Sequence, residues 1–418
     1  TVRVLDAAGN STTKQFSLTV NPVQPVITES YGNVGDAYEG AAPGTAVSLS
    51  ACQILTADTK YRLSRSVNAL TPTDVCYQFT AANISLDLNG YKVTGRVIAQ
   101  AANINGAQIL NGTVECNRDD SLGGNVGCVW LYGDTFPIAA QLRVHHLTIN
   151  NTATCGRSLA LEWNPSAPWT GGQYAARFYH ISITTAAGPS CPRAHNLGVI
   201  ASSSVTVEAH NNDLTCPADT AGCQGIVFYG NGHGRIHHNR VTMLMNTTAQ
   251  SGRAILCDGG ADYCEVDNNL VIVNNNRAFR VRDSAHARIH DNVVEQVKCC
   301  NAMAVHLGDP DAGSNDLDVI VEKNSFEVVD GVVLMIRAGF NAWFRNNTIN
   351  CASCTATAKL AQVRSAGTTS ISFENNPSAT LLAPSQISVE SGTTATICAS
   401  GQASGTGTIS YNTACQSP

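Results

Sequence analysis

Charge is scarce in this 418-residue chain: Asp, Glu, Lys and Arg make up 13% of it, about half the usual quarter. Aromatics amount to 6%, and there are four Met and four Trp. No apolar run approaches the roughly 20 residues that a membrane-spanning helix needs. Lys and Glu are too sparse, and heptads too few, for a coiled coil. The 25 basic residues against 31 acidic ones leave a formal charge of −6, which gives no overall attraction to nucleic acid. The start lacks the basic and apolar regions of a leader, so the chain reads as a mature or trimmed product of an exported precursor. What is present argues for a folded chain. Hydrophobic residues reach 43%, enough to bury a core and to exclude disorder.

Sixteen cysteines fall into couples along the chain: Cys52/Cys76, Cys116/Cys128, Cys155/Cys191, Cys216/Cys223, Cys257/Cys264, Cys299/Cys300, Cys351/Cys354 and Cys398/Cys415. An even count in loop-like segments such as Cys216-Pro-Ala-Asp-Thr-Ala-Gly-Cys223 suggests disulfides and an oxidising compartment. Sequence does not fix connectivity, so the couples rest on proximity alone. A thiolate metal site at Cys351-Ala-Ser-Cys354 would need a second couple at zinc spacing, and the adjacent Cys299-Cys300 makes a poor chelate. Asn83-Ile-Ser85 and Asn111-Gly-Thr113 are sequons, relevant only where the source glycosylates.

Four segments are expected. Residues 1–22 alternate as strands: Val2 and Val4, a turn at Asp6-Ala-Ala-Gly-Asn10, then Phe16, Leu18 and Val20. The stretch Val4-Leu-Asp-Ala-Ala-Gly-Asn-Ser11 resembles the last hairpin of a bacterial immunoglobulin-like domain. A full sandwich takes about 100 residues, so this fragment needs the body or another chain to dock on. Residues 23–45, opening near Pro22 and Pro25, form a linker and N-terminal cap. Residues 46–378 are the body. Residues 379–418 are Ser/Thr/Gly-rich and read as a C-terminal cap, a hairpin stapled by Cys398 and Cys415, since solenoids need their ends covered.

The body carries a repeat of the form apolar-x-x-Asn-x-apolar. It occurs at Ala209/Asn212/Leu214, Ile236/Asn239/Val241, Val266/Asn269/Val271, Ile289/Asn292/Val294, Val321/Asn324/Phe326 and Phe344/Asn347/Ile349, with a weaker copy at Phe373/Asn376. Two upstream copies, Val144/Leu147/Ile149 and Phe178/Ile181/Ile183, keep the apolar positions without the Asn. The Asn-to-Asn spacings of 27, 30, 23, 32, 23 and 29 are those of a solenoid with loop insertions. Alternation within each unit selects strand over helix. Asn at a fixed corner suits a left-handed bend, and stacked amides would bond one another. The pattern resembles the right-handed parallel β-helix of the pectin-lyase-like superfamily. Ser85-Leu-Asp-Leu-Asn-Gly-Tyr-Lys-Val-Thr-Gly95 is similar to its first coil, and Leu110-Asn-Gly-Thr-Val114 to its second. The resemblance covers roughly residues 46–378 and implies an all-β fold, not a reaction.

Stacked coils turn equivalent positions into columns about 4.8 Å apart. On the first strand of each coil, one outward column is expected to run Tyr132, Glu162, Ser202, Tyr229, Cys257, Arg282, Gly308, Arg337, Arg364. Its neighbour is expected to run Trp130, Ala160, Ile200, Val227, Ile255, Arg280, His306, Met335, Gln362. Aromatics thus gather at one end and arginines at the other. Arginine pairs with carboxylates through two donors, and sugar rings stack on aromatics, so Trp130, Tyr132, Tyr229 and Arg364 are substrate-binding candidates. β-Elimination of a uronide needs its carboxylate neutralised and a base beside it. Arg280, Arg282, His306 and Arg337 are the catalytic candidates, as the superfamily's lyases use a basic residue on this sheet. Asp283, Asp309 and Asp311 are candidate Ca2+ ligands. The competing reading is that such neighbours pair with each other and solvate a face.

A second outward column reads His145, Tyr179, His210, His237, Asp267, His290, Glu322, Arg345, Glu374. The row His210/His237/Asp267/His290/Glu322 offers metal ligands, but a ladder of neighbours that avoids like-charge stacking explains it with less. Gly232-His-Gly234 and Arg235-Ile236 resemble fragments of polygalacturonase motifs. They are contiguous here, His237 replaces the Lys, and no Asn-Thr-Asp occurs. No outward acidic pair stands across the roughly 5–9.5 Å that a two-carboxylate hydrolase needs, so that reading is rejected. The expectation is a secreted or cell-surface β-helix protein that engages an acidic polysaccharide along its arginine face, with polysaccharide lyase as the enzymatic form. The alternative is a non-catalytic adhesive or filament-forming protein that binds copies of itself through residues 1–22 by strand addition.

Overall fold

Strand alternation sends one set of side chains inward in every coil. Val144, Leu147 and Ile149, then Phe178, Ile181 and Ile183, then Ala209 and Leu214 are all buried. The computed structural model describes residues 2–5, 11–14, 46–56, 59–118, 127–133, 138–153, 156–165, 167, 170, 174–185, 194–202, 205–217, 222–230, 233–244, 252–259, 263–274, 276–282, 284, 286–298, 302–308, 318–337, 341–350, 358–364, 367–374, 376, 387–390, 393–398, 403–405 and 408–411.

The chain divides into two units, Thr1–Gly40 and Ala41–Pro418. In the first, Val2–Leu5 and Ser11–Lys14 form an antiparallel hairpin with Val2 opposite Lys14. The expected second-strand residues Phe16, Leu18 and Val20 lie outside the described residues.

The second unit is a right-handed parallel β-helix. Its long sheet stacks 14 strands in parallel, from Gln53–Leu55 through Gly127–Gly133, Cys223–Tyr229, Arg277–Arg282 and Val332–Ile336 to Ala403–Gly405. The other strands lie on either side of a corner. In the earlier coils one strand bends through it, as in Leu142–Asn151 and Ala176–Thr185. Later coils split there, as in His233–His237 and Arg240–Met243. The tail departs from expectation. Ile387–Val389, Thr393–Cys398, Ala403–Gly405 and Thr408–Tyr411 add in parallel to the preceding coils. The helix therefore continues past residue 378, with β-branched residues supplying strand propensity where a hairpin was expected.

Four expected disulfides are present: Cys52–Cys76, Cys116–Cys128, Cys216–Cys223 and Cys257–Cys264. Cys155, Cys191, Cys299, Cys300, Cys351, Cys354 and Cys415 lie outside the described residues, as does the side chain of Cys398.

The repeat asparagines form a continuous buried ladder. Asn212 donates its backbone N–H (3.0 Å) and its Nδ2 (2.9 Å) to Oδ1 of Asn239. The same double donation links Asn239 to Asn269, Asn269 to Asn292, Asn292 to Asn324, Asn324 to Asn347 and Asn347 to Asn376. The second Nδ2 hydrogen goes to a carbonyl of the preceding coil, as from Asn239 to Ala209 at 2.9 Å. Each amide is thereby satisfied without water. The left-handed bend, however, sits one residue earlier than expected. His146, His180, Asn211, His238, Asn268, Asp291, Lys323 and Asn346 all have φ between 52° and 55°. The ladder Asn earns its place by its amide alone.

Replacing Asn269 with Ala strips two donors of Asn239 of their acceptor inside the core. It should cost about 3 kcal/mol, whereas Asn376→Ala, at the half-buried end, should cost about 1. Midpoints of chemical denaturation for the two variants measure the difference.

Candidate functional site

The pairing register of the long sheet decides which side chains share its outer face. One column runs Trp130, Ala160, Gly198, Val227, Leu256, Arg280, His306, Met335, Gln362. The next runs Tyr132, Glu162, Ile200, Tyr229, Asp258, Arg282. Arg337 and Arg364 continue it, their N–H groups donating to Leu307 and Ile336 carbonyls. The expected columns were out of register in two coils. Gly198 and Ile200 stand where Ile200 and Ser202 were placed. Leu256 and Asp258 stand where Ile255 and Cys257 were, because Ile255 faces the core and Cys257 turns inward to its disulfide.

The gradient of chemistry along the face is as expected. Trp130 and Tyr132 are half-buried with ring centroids 5.7 Å apart, and Tyr229 lies three coils further on. The arginines follow, with varied partners. Arg282 Nε donates to buried Asp258 at 2.6 Å, and Arg364 pairs with Glu390 at 2.6 Å. Arg337 is half-buried and makes no ion pair among the described residues. The calcium candidates Asp283, Asp309 and Asp311 lie outside those residues.

A third group of outer residues escaped the sequence reading. Ala254, Ala278, Ala304 and Val333 belong to the core, and so do the residues that follow them, Ile255, Phe279, Val305 and Leu334. Two successive inward positions break the period of two, so the residues just before them join the outer face against the alternation. These include Arg157, His195, Gln224, Arg253 and Arg277. His195 leans over Gly198, where an added Cβ would come within 3.1 Å of its Nδ1, and its ring centroid is 6.0 Å from that of Tyr229.

Arg253, Arg277, Arg280 and Arg337 all act on His306. Its side chain is fully buried, and neither ring nitrogen has a hydrogen-bond partner. Burial first, then the charges of Arg277, Arg280, Arg337 and Arg253, hold it well below the ordinary imidazole range. Burial and the neighbouring Arg280 likewise bring Arg253 down to about 10. Of the four expected catalytic residues, Arg280 and His306 therefore lie beneath the surface, while Arg282 and Arg337 reach it.

The second face is a structural ladder. Rings of His145, Tyr179, His210 and His237 stack at 4.6, 5.1 and 5.1 Å, within 7° of parallel. Opposite charges meet between this column and the one beside it. Arg177 meets Glu208 at 2.6 Å, and Arg235 meets Asp267 at 2.8 Å. Glu322 accepts from Arg288 at 2.5 Å and from Arg345 at 2.8 Å. Ligand atoms of Glu265, Asp267 and His290 lie within 4.8 Å of one another, yet Asp267 already takes two bonds from Arg235. Charge pairing accounts for this column.

Two members of that face tie stability to pH. Burial, then His146 and Arg143, lowers His145 from 6.5 to about 3. Burial alone would raise Glu208, but bonds from His237 and Arg177 prevail and hold it at about 2 rather than 4.5. In both cases the unfolded chain binds protons more readily, so acid destabilises the fold. The melting temperature should begin to fall below pH 6.5 as His145 resists its proton, with Glu208 adding a second loss below 4.5. In thermal melts from pH 3 to 8, His145→Gln should lessen the first stage, the remainder belonging to buried His306, and leave the second.

No protein-family model matches the chain, and no curated protein matches it. Among solved structures it is similar to mutant tailspike proteins of the E. coli bacteriophage HK620, one in complex with a hexasaccharide and one with a pentasaccharide. Identity is 12% in both, the TM-score is 0.34, and the match covers 86% of this chain and 71% or 72% of those. A likeness of that degree carries no argument about what this chain binds.

Proposed function

We propose that this is an extracellular β-helix protein whose long-sheet outer face engages an acidic polysaccharide, with polysaccharide lyase as its enzymatic form. The observation that carries the reading is Arg337. It is half-buried on an outward column with no ion pair among the described residues, in line with Arg282 and Arg364. Arg282 and Arg337 stand two coils apart, about 10 Å at the usual strand spacing, and present forked donors suited to successive carboxylates. Trp130, Tyr132 and Tyr229 extend the same face with ring surfaces for sugars.

Elimination needs a held carboxylate and a base beside the acidic carbon. Arg282 and Arg337 suit the first role. His306 is unprotonated at neutral pH, as a base must be, but it reaches a sugar only when the groups that cover it move aside. If calcium takes part, Asp283, Asp309 and Asp311 would supply its carboxylate ligands, and the ion would help neutralise the uronate carboxylate. The disulfides support an oxidising compartment, and no helix among the described residues is long and apolar enough to cross a membrane. Parallel pairing of Ser85–Asp87 and Lys92–Thr94 with the next coil supports the pectin-lyase-like resemblance of the first coil.

The rival reading, a filament or adhesive subunit, draws on the hairpin of Val2–Leu5 and Ser11–Lys14, which is too small to hold a core of its own.

Binding to pectate, alginate and glycosaminoglycans should be detectable and should weaken with salt. Arg337→Ala should lower affinity about tenfold, the worth of one charge-assisted bond. Ultraviolet absorbance of unsaturated products, with and without calcium, separates a lyase from a binding module. If no polysaccharide binds, the reading falls. Filaments in electron micrographs that vanish when residues 1–22 are deleted would then establish the rival.

A further inference from the structure

The left-handed bend at the corner of the coils sets two histidine pairs face to face. In His237-His238, where His238 has φ 53°, the two Nδ1 atoms lie 2.8 Å apart and the rings are nearly perpendicular, at 83°. Both residues are held in place. His237 stacks on His210 with centroids 5.1 Å apart, and its Nε2 meets Oε1 of buried Glu208 at 3.1 Å. The backbone N–H of His238 donates to the Asp267 carbonyl, and the residue is exposed. A carboxylate only accepts, so in the neutral ring Nε2 of His237 carries the hydrogen and Nδ1 keeps its lone pair. The hydrogen between the two Nδ1 atoms therefore belongs to His238. Glu208 is fixed in turn by Arg177 at 2.6 Å. A carboxylate that accepts from the far nitrogen of an imidazole is the arrangement that orients histidines as metal ligands.

We propose that His237 and His238 chelate a divalent transition ion of the copper(II) or nickel(II) class through their two Nδ1 atoms, with Glu208 as the positioning carboxylate behind His237. Nitrogens 2.8 Å apart, each about 2.0 Å from an ion, subtend an angle of about 90° at it. That is the angle between neighbouring ligands of a tetragonal site, whereas the tetrahedral angle of zinc would set them about 3.3 Å apart. The ion takes the place of the shared hydrogen, which His238 then carries on Nε2. Both ligands come from one coil, so the bonds of Arg177 to Glu208 and of Arg235 to Asp267 are kept. Water completes the coordination on the exposed side. His145-His146 faces its Nδ1 atoms in the same way at 2.9 Å. There, however, the far nitrogen of His145 meets the amide of Gln108 at 3.2 Å and not a carboxylate, which makes it the weaker chelate. The site shares no residue with the arginine face and does not depend on the polysaccharide reading.

Calorimetric titration of the full chain with copper(II) chloride, glycine buffering the free ion, tests the site. Asn holds the same bend at Asn211, Asn268 and Asn346, so His238→Asn removes the ligand and keeps the corner. The tightest copper equivalent should weaken at least tenfold in His238→Asn and about tenfold in Glu208→Gln, and should be unchanged in His146→Asn. Electron paramagnetic resonance of the unaltered chain at one equivalent of copper should give an axial signal split by imidazole nitrogen. Zinc chloride should bind at least about tenfold more weakly than copper. A tightest equivalent that survives His238→Asn or Glu208→Gln, that is lost in His146→Asn, or that zinc matches in affinity would overturn the proposal. Far-ultraviolet circular dichroism confirms that each variant is folded before it is scored.

Discussion

The buried amide of the repeat asparagine is the interaction on which the rest of this fold depends. A β-helix must turn a corner in every coil, and a corner leaves backbone groups that strand pairing does not satisfy. Here one side chain closes that account. Asn239 accepts two bonds from Asn212, passes two to Asn269, and uses its remaining hydrogen on Ala209. Because the amide can sit in only one place relative to its neighbours, it fixes the rotation of each coil upon the last. The outward columns, and so the positions of the arginines, inherit their alignment from that constraint.

The two outer faces meet the cost of concentrated charge in opposite ways. The corner-side face stacks flat rings and sets carboxylates beside the guanidinium groups of neighbouring coils, so that its charges are paired locally. The long-sheet face gathers like charges toward its C-terminal half and buries several of them. Surface ion pairs contribute little each, so the first pattern is a means of tolerating polar neighbours in close ranks. The second pairs Arg282 with Asp258 and Arg364 with Glu390, and leaves Arg337 with no ion pair among the described residues. It is therefore the better candidate for a surface that has something to hold.

The fold was legible because its signal repeats. Six full copies of apolar-x-x-Asn-x-apolar at uneven spacing can be read without structure, since every coil must solve the same packing problem. The bend was misplaced by one residue for a physical reason. Asn is the usual left-handed residue, so it drew the assignment, while His146, His180 and Lys323 hold the same φ under tertiary constraint. The site was less legible. Its columns depend on loop lengths between coils, which slipped the register at Ile200 and Ile255. The break in alternation before Ile255 and Phe279 hid Arg253 and Arg277 altogether. The small residues Ala254, Ala278 and Ala304, recurring as the second residue of the strand, were the available sign of a second inward position. The hairpin expected around Cys398 erred in treating a polar composition as an end rather than as more coils.

The asparagine ladder has a polarity. Each amide oxygen accepts from the coil before it, and from Asn212 to Asn347 each Nδ2 gives one hydrogen to the oxygen of the coil after. The first oxygen, on Asn212, accepts from the N–H of Ile181. Aligned amides of this kind polarise one another, and their dipoles add along the solenoid axis. The negative end lies toward the N-terminal coils, the reverse of the sense in an α-helix. The rod is thus an electrical object with two unlike ends, and a coil added at one end would not meet the same field as a coil added at the other.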